Sequence, residues 1–490
     1  MKKFAHRDET MVPSLGSRAR VGTIWLIGGF GLGQILRLSS NIALAAILFE
    51  EAFALMAIVS AVMAGLAMFS DIGLRINVVQ HARGDEPNFL NTAWTLQVIR
   101  GFLLFLIAVM LSWPLSQMYG ANDPKAYELL FLIPIVASTC LIDGFQSAKI
   151  LSATRHLKIK EVAKIEFIVS PVHMAVMLFL AWYMKSAYAL AIASVISASL
   201  HTALSYLMLD GPKSKLRLER GTVKEILSFG KWIFISTIFT FLALQMDRLV
   251  LAGMFSLVEV GVYSIAASLA VIVPTLAGSL QTNVLFPWYS RKLSEGMPMS
   301  TAFSRTRLAM MTLSSFLCTL LFAGAASFFD LAYDKRYSMG GVLLPILACG
   351  AWFSCLEAMY GATFFATGRP KWVATANASK VASFALLLVL LSHFKFNIVV
   401  AAMFLSASEF LRWLVCHGLG RRLGLHNTWS EVGMLFFFLS VSMIGWWLAE
   451  RAPFVSDLGA FWRLAVLGIV ITLLFAPLFH RYVLPLVKQR

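Results

Sequence analysis

Long apolar runs separated by short polar connections recur along the whole chain, near residues 21–49, 52–80, 89–113, 127–149, 165–184, 187–209, 226–255, 260–289, 308–329, 341–367, 372–392, 396–418, 431–449 and 460–483. A helix needs about 20 apolar residues to cross about 30 Å of hydrocarbon, so each run has the length of a span. The pattern predicts an all-α polytopic membrane protein with about fourteen transmembrane helices.

Composition narrows the class further. Hydrophobic residues fill 59% of 490 positions, charged residues only 13%, and mean hydropathy is +0.77. The longest polar connection, Asp210 to Lys224, leaves no room for a large aqueous domain. A net charge of +16 is compatible with nucleic-acid binding, but the placement of the 41 cations argues against it. Twenty-seven lie in the amino-terminal tail, in every second connection after it and at the carboxyl end; the opposite connections hold seven, and seven more lie inside spans. Such alternation is a topology signal and a contact to anionic lipid, which places both termini of a multi-pass protein in the cytoplasm. The roughly 20 polar residues before the first run mark it as a retained span, not a short cleaved leader. All five cysteines fall in spans without a Cys-x-x-Cys, so no disulfide, metal or cofactor is expected.

A repeat emerges when Phe53-Ala54-Leu55-Met56-Ala57 is set against Val260-Gly261-Val262-Tyr263-Ser264, an offset of 207 residues. Six spans precede the basic connection and six follow it. Two bundles in the same orientation, related by an axis along the membrane normal, would enclose a central cavity able to open to either side. The expected organisation is a tail (1–20), a six-helix bundle (21–209), a basic linker (210–225), a second six-helix bundle (226–420), and two further helices with the carboxyl end (421–490).

Ionisable groups inside spans cost about 2.5 to 3.5 kcal/mol at helix centre on insertion scales, so they face protein or water and often mark a pathway. Arg37, Arg75, Arg100, Arg248, Lys380 and Arg412 form an expected ladder of cations through the membrane thickness, suited to an anionic substrate. Arg37, Arg100 and Lys380 have no opposite charge within a turn of their own helices, so each either pairs across helices or leaves positive charge in the cavity. Asp71 with Arg75 (i,i+4) and Glu409 with Arg412 (i,i+3) can neutralise themselves on one helix face. Asp247 and Arg248 suit an outer gate or an interfacial anchor. Asp143 and Glu357 are open to two roles, as cross-helix counter-ions or as coupling groups. Lys231 can snorkel to the surface, and His173 and His201 fit hydrogen-bonded packing or a proton relay.

Several segments together carry a resemblance. Ala54-Leu55-Met56-Ala57-Ile58 with Phe69-Ser70-Asp71-Ile72-Gly73-Leu74 and Gln80, then Asn91 through Gly101, Phe229-Gly230-Lys231-Trp232 leading to Asp247-Arg248, Tyr333 through Tyr337, and Gly368 through Trp372 occur in order over most of residues 20–420. The chain resembles bacterial polysaccharide transporters, the lipid-linked oligosaccharide flippases of the multidrug/oligosaccharidyl-lipid/polysaccharide exporter superfamily. It departs from them at Glu50-Glu51-Ala52-Phe53-Ala54, where relatives carry a Pro-x-Asp-Phe-Gly-like turn.

The resemblance implies alternating-access transfer of a polyprenyl-diphosphate-linked oligosaccharide across the bacterial cytoplasmic (inner) membrane, for lipopolysaccharide, exopolysaccharide or capsule synthesis. The expected partners are that substrate, membrane lipids and other polysaccharide-assembly proteins. Sugars and phosphates cannot be buried unpaired in hydrocarbon, whereas the lipid tail can stay there. The alternatives are an ion-coupled drug exporter, a membrane-embedded polymerase or ligase, and an assembly scaffold. No P-loop or catalytic cluster is present, so no enzyme activity is expected.

Overall fold

A computed structural model describes residues 33–70, 78, 83–156, 159–211, 214–391, 396–425 and 428–485. Each expected span has a helix in its place: α1 (33–47), α2 (Glu50–Phe69), α3 (Pro87–Gly120), α4 (Leu129–Gly144), α5 (Ile159–Met184), α6 (Ala187–Leu207), α7 (Arg220–Ala252), α8 (Leu257–Ser294), α9 (Met299–Ala323), α10 (Gly340–Ala366), α11 (Pro370–Leu391), α12 (Ile398–Arg421), α13 (Thr428–Glu450) and α14 (Ala460–Leu478). Twelve stretches among the described residues are long and apolar enough to cross a membrane. No strand occurs among the described residues.

Local chemistry sets the turns. Lys185 adopts φ +48° between α5 and α6, and Ser186 then caps α6 by accepting from the Tyr188 N–H. Ser256 and Glu259 form a reciprocal capping box at the start of α8, which satisfies main-chain donors that a helix start leaves free. The α8 helix is interrupted at Val271 and again by a π-turn at Gln281–Leu285 before it resumes at Phe286.

Helices α3 to α6 pack as one lobe and α7 to α12 as the other, while α13 and α14 lie against α9. The lobes meet where α2 crosses α7 and α8. That crossing requires Gly261, because a Cβ there would stand 2.0 Å from the Glu50 carbonyl oxygen. Gly101 serves the same purpose between α3 and α4, where a Cβ would come 2.3 Å from the Cys140 carbonyl. Close backbone approach through glycine is how membrane helices gain contact when lipid offers no hydrophobic drive.

The seal between the lobes is built at the face with few cations. The Asn122 amide donates to the Gly253 carbonyl (2.7 Å), the Tyr119 hydroxyl to the Leu249 carbonyl (3.0 Å) and the Tyr337 hydroxyl to the Leu48 carbonyl (3.3 Å). At the basic face the extended connection between lobes lies along α3. The N–H groups of Lys215, Arg217 and Glu219 donate to Asn91 Oδ1, Thr95 Oγ1 and Thr92 Oγ1 at 2.9, 2.9 and 3.2 Å. Nearby, Asp85 accepts from Arg155 and pairs with His156.

Candidate functional site

The expected ladder of cations resolves into separate sets. Arg37 on α1 and Arg248 on α7 line a central cavity of about 540 Å³ between the lobes, close enough to repel each other. Arg37 has no ion pair or side-chain hydrogen bond among the described residues. Arg248 makes one weak bond, to Gln245 Oε1 at 3.4 Å, and its buried Nε has no acceptor among the described residues. The neighbouring Asp247 turns away and accepts from the Tyr263 hydroxyl at 2.6 Å. Hydroxyls from five helices share this lining, including Ser40, Ser60, Ser170, Ser194, Ser264 and Ser268. The Asn41 amide donates to Ser268 Oγ and ties α1 to α8.

A second cavity, of about 900 Å³, lies within the amino-terminal lobe. Arg100 lines it but is held by α2, donating to Ser70 Oγ and the Ala67 carbonyl, both at 2.9 Å. Asp143 lines it with no ion partner among the described residues. Glu166 lies 3.3 Å from His201 Nε2, and His201 Nδ1 lies 2.6 Å from the Gln146 amide nitrogen. His173 bonds the Ala193 carbonyl at 3.3 Å. Glu166, Val169, His173, Ser194 and Ser197 line both cavities, which therefore adjoin along α5 and α6.

In the carboxyl-terminal lobe the charges cancel. Lys380 is 8% exposed, pairs with Glu409 at 2.7 Å and donates to the Ala243 carbonyl of α7. Arg412 pairs with Glu409 at 2.8 Å and with Glu357 at 3.6 Å, and donates to Ser354 Oγ and Asn377 Oδ1. Two cations and two anions thus tie α7, α10, α11 and α12 together. Of the two arrangements open to Lys380, the structure has the cross-helix pair, and Arg412 makes the i,i+3 pair with Glu409 that the spacing allows, so neither leaves free positive charge for the cavity. Glu357 and Glu409 are counter-ions within this set; Glu357 partners Arg412, not one of the three locally isolated cations. Asp71 and Arg75 lie outside the described residues, as does the side chain of Lys231.

Two further constellations do not stand out in the sequence. Glu166 sits one residue inside its predicted span and so resembles an interfacial carboxylate. Arg307 falls in a basic connection, yet it is 3% exposed and lies 3.5 Å from Glu431, itself 1% exposed. Glu431 also accepts from the Tyr360 hydroxyl (2.7 Å) and faces His417 Nδ1 (3.1 Å), which clamps α13 to α9, α10 and α12. The signal available was an acid in the first turn of a helix with no cation on its own face.

The sequence profile of a family described as polysaccharide biosynthesis protein matches residues 43–339. The chain belongs to this family. Comparison with curated proteins finds no matching sequence. Among solved structures, the fold of this family member is similar to the lipid II flippase MurJ in its inward closed conformation, with a TM-score of 0.71, 15% identity, and coverage of 94% of this chain and 100% of that one. It is also similar to an inward-facing multidrug resistance MATE transporter of the MOP superfamily, with a TM-score of 0.62, 13% identity, and coverage of 80% of this chain and 94% of that one. At such identities these likenesses establish the fold alone, that of a polytopic helical membrane protein.

Proposed function

We propose that this chain is a flippase that carries a polyprenyl-diphosphate-linked oligosaccharide from the cytoplasmic to the outer leaflet of the bacterial inner membrane, with the basic face and both termini in the cytoplasm. The observation that carries this reading is the pair Arg37 and Arg248, two guanidinium groups without counter-ions among the described residues, in a hydroxyl-lined cavity between lobes. A guanidinium binds phosphate oxygens bidentately, and two of them match a diphosphate. Serine hydroxyls offer the donors and acceptors that sugars require. The lipid tail remains in hydrocarbon, so only the head group needs this polar path. With the cytoplasm negative, outward movement of the anion is favoured by about 2.3 kcal/mol per charge per 100 mV, which supplies a driving force without a nucleotide site.

The test is to inactivate the gene and follow the amount and sidedness of lipid-linked repeat units. Complete units trapped on the cytoplasmic face support the reading; complete units that reach the outer face overturn it. Arg37→Ala and Arg248→Ala should each abolish most transport while the protein persists in the membrane. The carboxylates Asp143 and Glu166 in the amino-terminal lobe favour a second reading, an exporter of cationic drugs. Efflux of cationic dyes that depends on an ion gradient and on these two residues would select it.

A further inference from the structure

The Glu166–His201–Gln146 cluster is not used by the diphosphate site, yet Glu166 lines both cavities and stands beside the route between them. Its hydrogen bonds define two protonation states. With the Gln146 amide nitrogen donating to Nδ1, His201 is neutral, and its Nε2–H donates to Glu166 Oε1. If the Gln146 amide rotates by half a turn, its oxygen accepts from a protonated Nδ1, and the resulting imidazolium is held by Glu166 on one side and Gln146 on the other. Each state is fully bonded, so one proton can be gained or lost without rebuilding the helices.

The charge that this proton changes faces the head group's path. Among the described residues, the titratable or charged groups lining the amino-terminal cavity are Arg100 from α3, Cys140 and Asp143 from α4, Glu166 and His173 from α5, and His201 from α6. Arg100 is already bonded to α2. With His201 neutral, Asp143 and Glu166 outweigh Arg100 by one negative charge, which opposes an anion. With His201 protonated the cavity is balanced. By linkage, whatever makes anion binding easier is itself made easier by the anion.

We propose that His201, positioned between Glu166 and Gln146, is a proton-binding site that takes up one proton when the anionic head group binds, so that proton and diphosphate reinforce each other's binding. The proposal rests on the diphosphate reading above. The proton is taken up at His201 Nδ1, the Gln146 amide turns so that its oxygen accepts from it, and the bond to Glu166 is kept. A proton fits this place better than a metal ion, because the imidazole N–H already fills the position a cation would take at Glu166. Among the described residues no three His, Cys, Asp or Glu side chains converge on a metal position.

The test uses the full-length protein in lipid nanodiscs and a short-chain prenyl diphosphate esterified to a single sugar. Both phosphates of this probe are diesters, so its charge stays constant across the histidine range. Wild type should bind the probe roughly tenfold more tightly at about pH 6 than at about pH 8, with net proton uptake seen by calorimetry in buffers of different ionisation heat. The two variants should move in opposite directions: Glu166→Gln should bind tightly at both pH values, and His201→Asn weakly at both. Equal wild-type affinity at both pH values, tighter binding at the higher pH, or equal loss in both variants would overturn the linkage while leaving the diphosphate reading standing. Failure to bind at either pH would overturn the diphosphate reading, and the linkage with it.

Discussion

The two lobes carry similar numbers of intramembrane charges and use them in opposite ways. In the carboxyl-terminal lobe Lys380, Arg412, Glu357 and Glu409 are spent on one another across α10, α11 and α12. In the amino-terminal lobe and along the central cavity, Arg37, Asp143 and Arg248 have no ion pair among the described residues, and Glu166 meets only an imidazole. A buried ion pair is costly to form and costlier to break, because the surviving partner is stranded. The paired lobe is therefore a rigid wall, and the unpaired one is where a ligand can change the energy.

That contrast can be broken by single substitutions. Lys380→Met leaves Glu357 and Glu409 to share the single cation Arg412, one buried negative charge uncompensated, and should cost about 3 to 5 kcal/mol, seen as a large drop in thermal stability in detergent. The double variant Lys380→Met with Glu409→Leu should recover much of that loss, since replacing both partners by apolar groups removes the stranded charge. If the single variant is as stable as wild type, the carboxyl-terminal charges are not a structural set.

Gly261→Val should come next, at about 1 to 3 kcal/mol, the usual cost of overpacking. Its side chain would press on the Glu50 carbonyl where the lobes cross, so cross-linking between α2 and α8 should fall as well. Retained cross-linking would show that the crossing tolerates a wider gap.

Asp143→Asn should change stability by no more than about 0.5 kcal/mol, because no ion partner among the described residues is lost. A drop as large as that of Lys380→Met would erase the distinction between lobes. The smallest effect belongs to the trio of Asp85, Arg155 and His156 at the basic face, where Asp85 and His156 are exposed. Burial would raise the Asp85 carboxyl, but Arg155 and His156 together hold it below its ordinary value of 3.8. A depressed carboxyl stabilises the fold above its ordinary value and loses that contribution as pH falls through the lower, folded one. Wild type should therefore lose a small margin of thermal stability over Asp85→Asn only as pH drops below 3.8. A gap that persists unchanged at lower pH would point to packing instead.

How far the chain discloses this arrangement depends on the range of each interaction. The fourteen helices are legible because hydrophobicity over about 20 residues is a local property. The Glu409–Arg412 pair is legible too, since i,i+3 spacing puts both on one face. The Lys380–Glu409 pair is not, because it joins two helices whose relative rotation no spacing encodes. Arg307 was hidden for a different reason: a cation in a polar connection counts toward topology, and only packing shows that α13 covers it. The segments around Ala54 and Asn91 carry the resemblance to polysaccharide transporters, but they say nothing about which of Arg37, Arg100 and Lys380 stays unpaired.

The connection between the lobes has a consequence of another kind. It is gripped through its own main chain, by acceptors that all belong to α3. Its side chains at Lys215, Leu216, Arg217 and Leu218 are exposed, so the grip does not read their identity. This stretch should tolerate wholesale rewriting so long as it avoids proline at 215, 217 and 219. The join between the lobes can therefore drift in sequence, or accept an engineered label, while Asn91, Thr92 and Thr95 stay fixed.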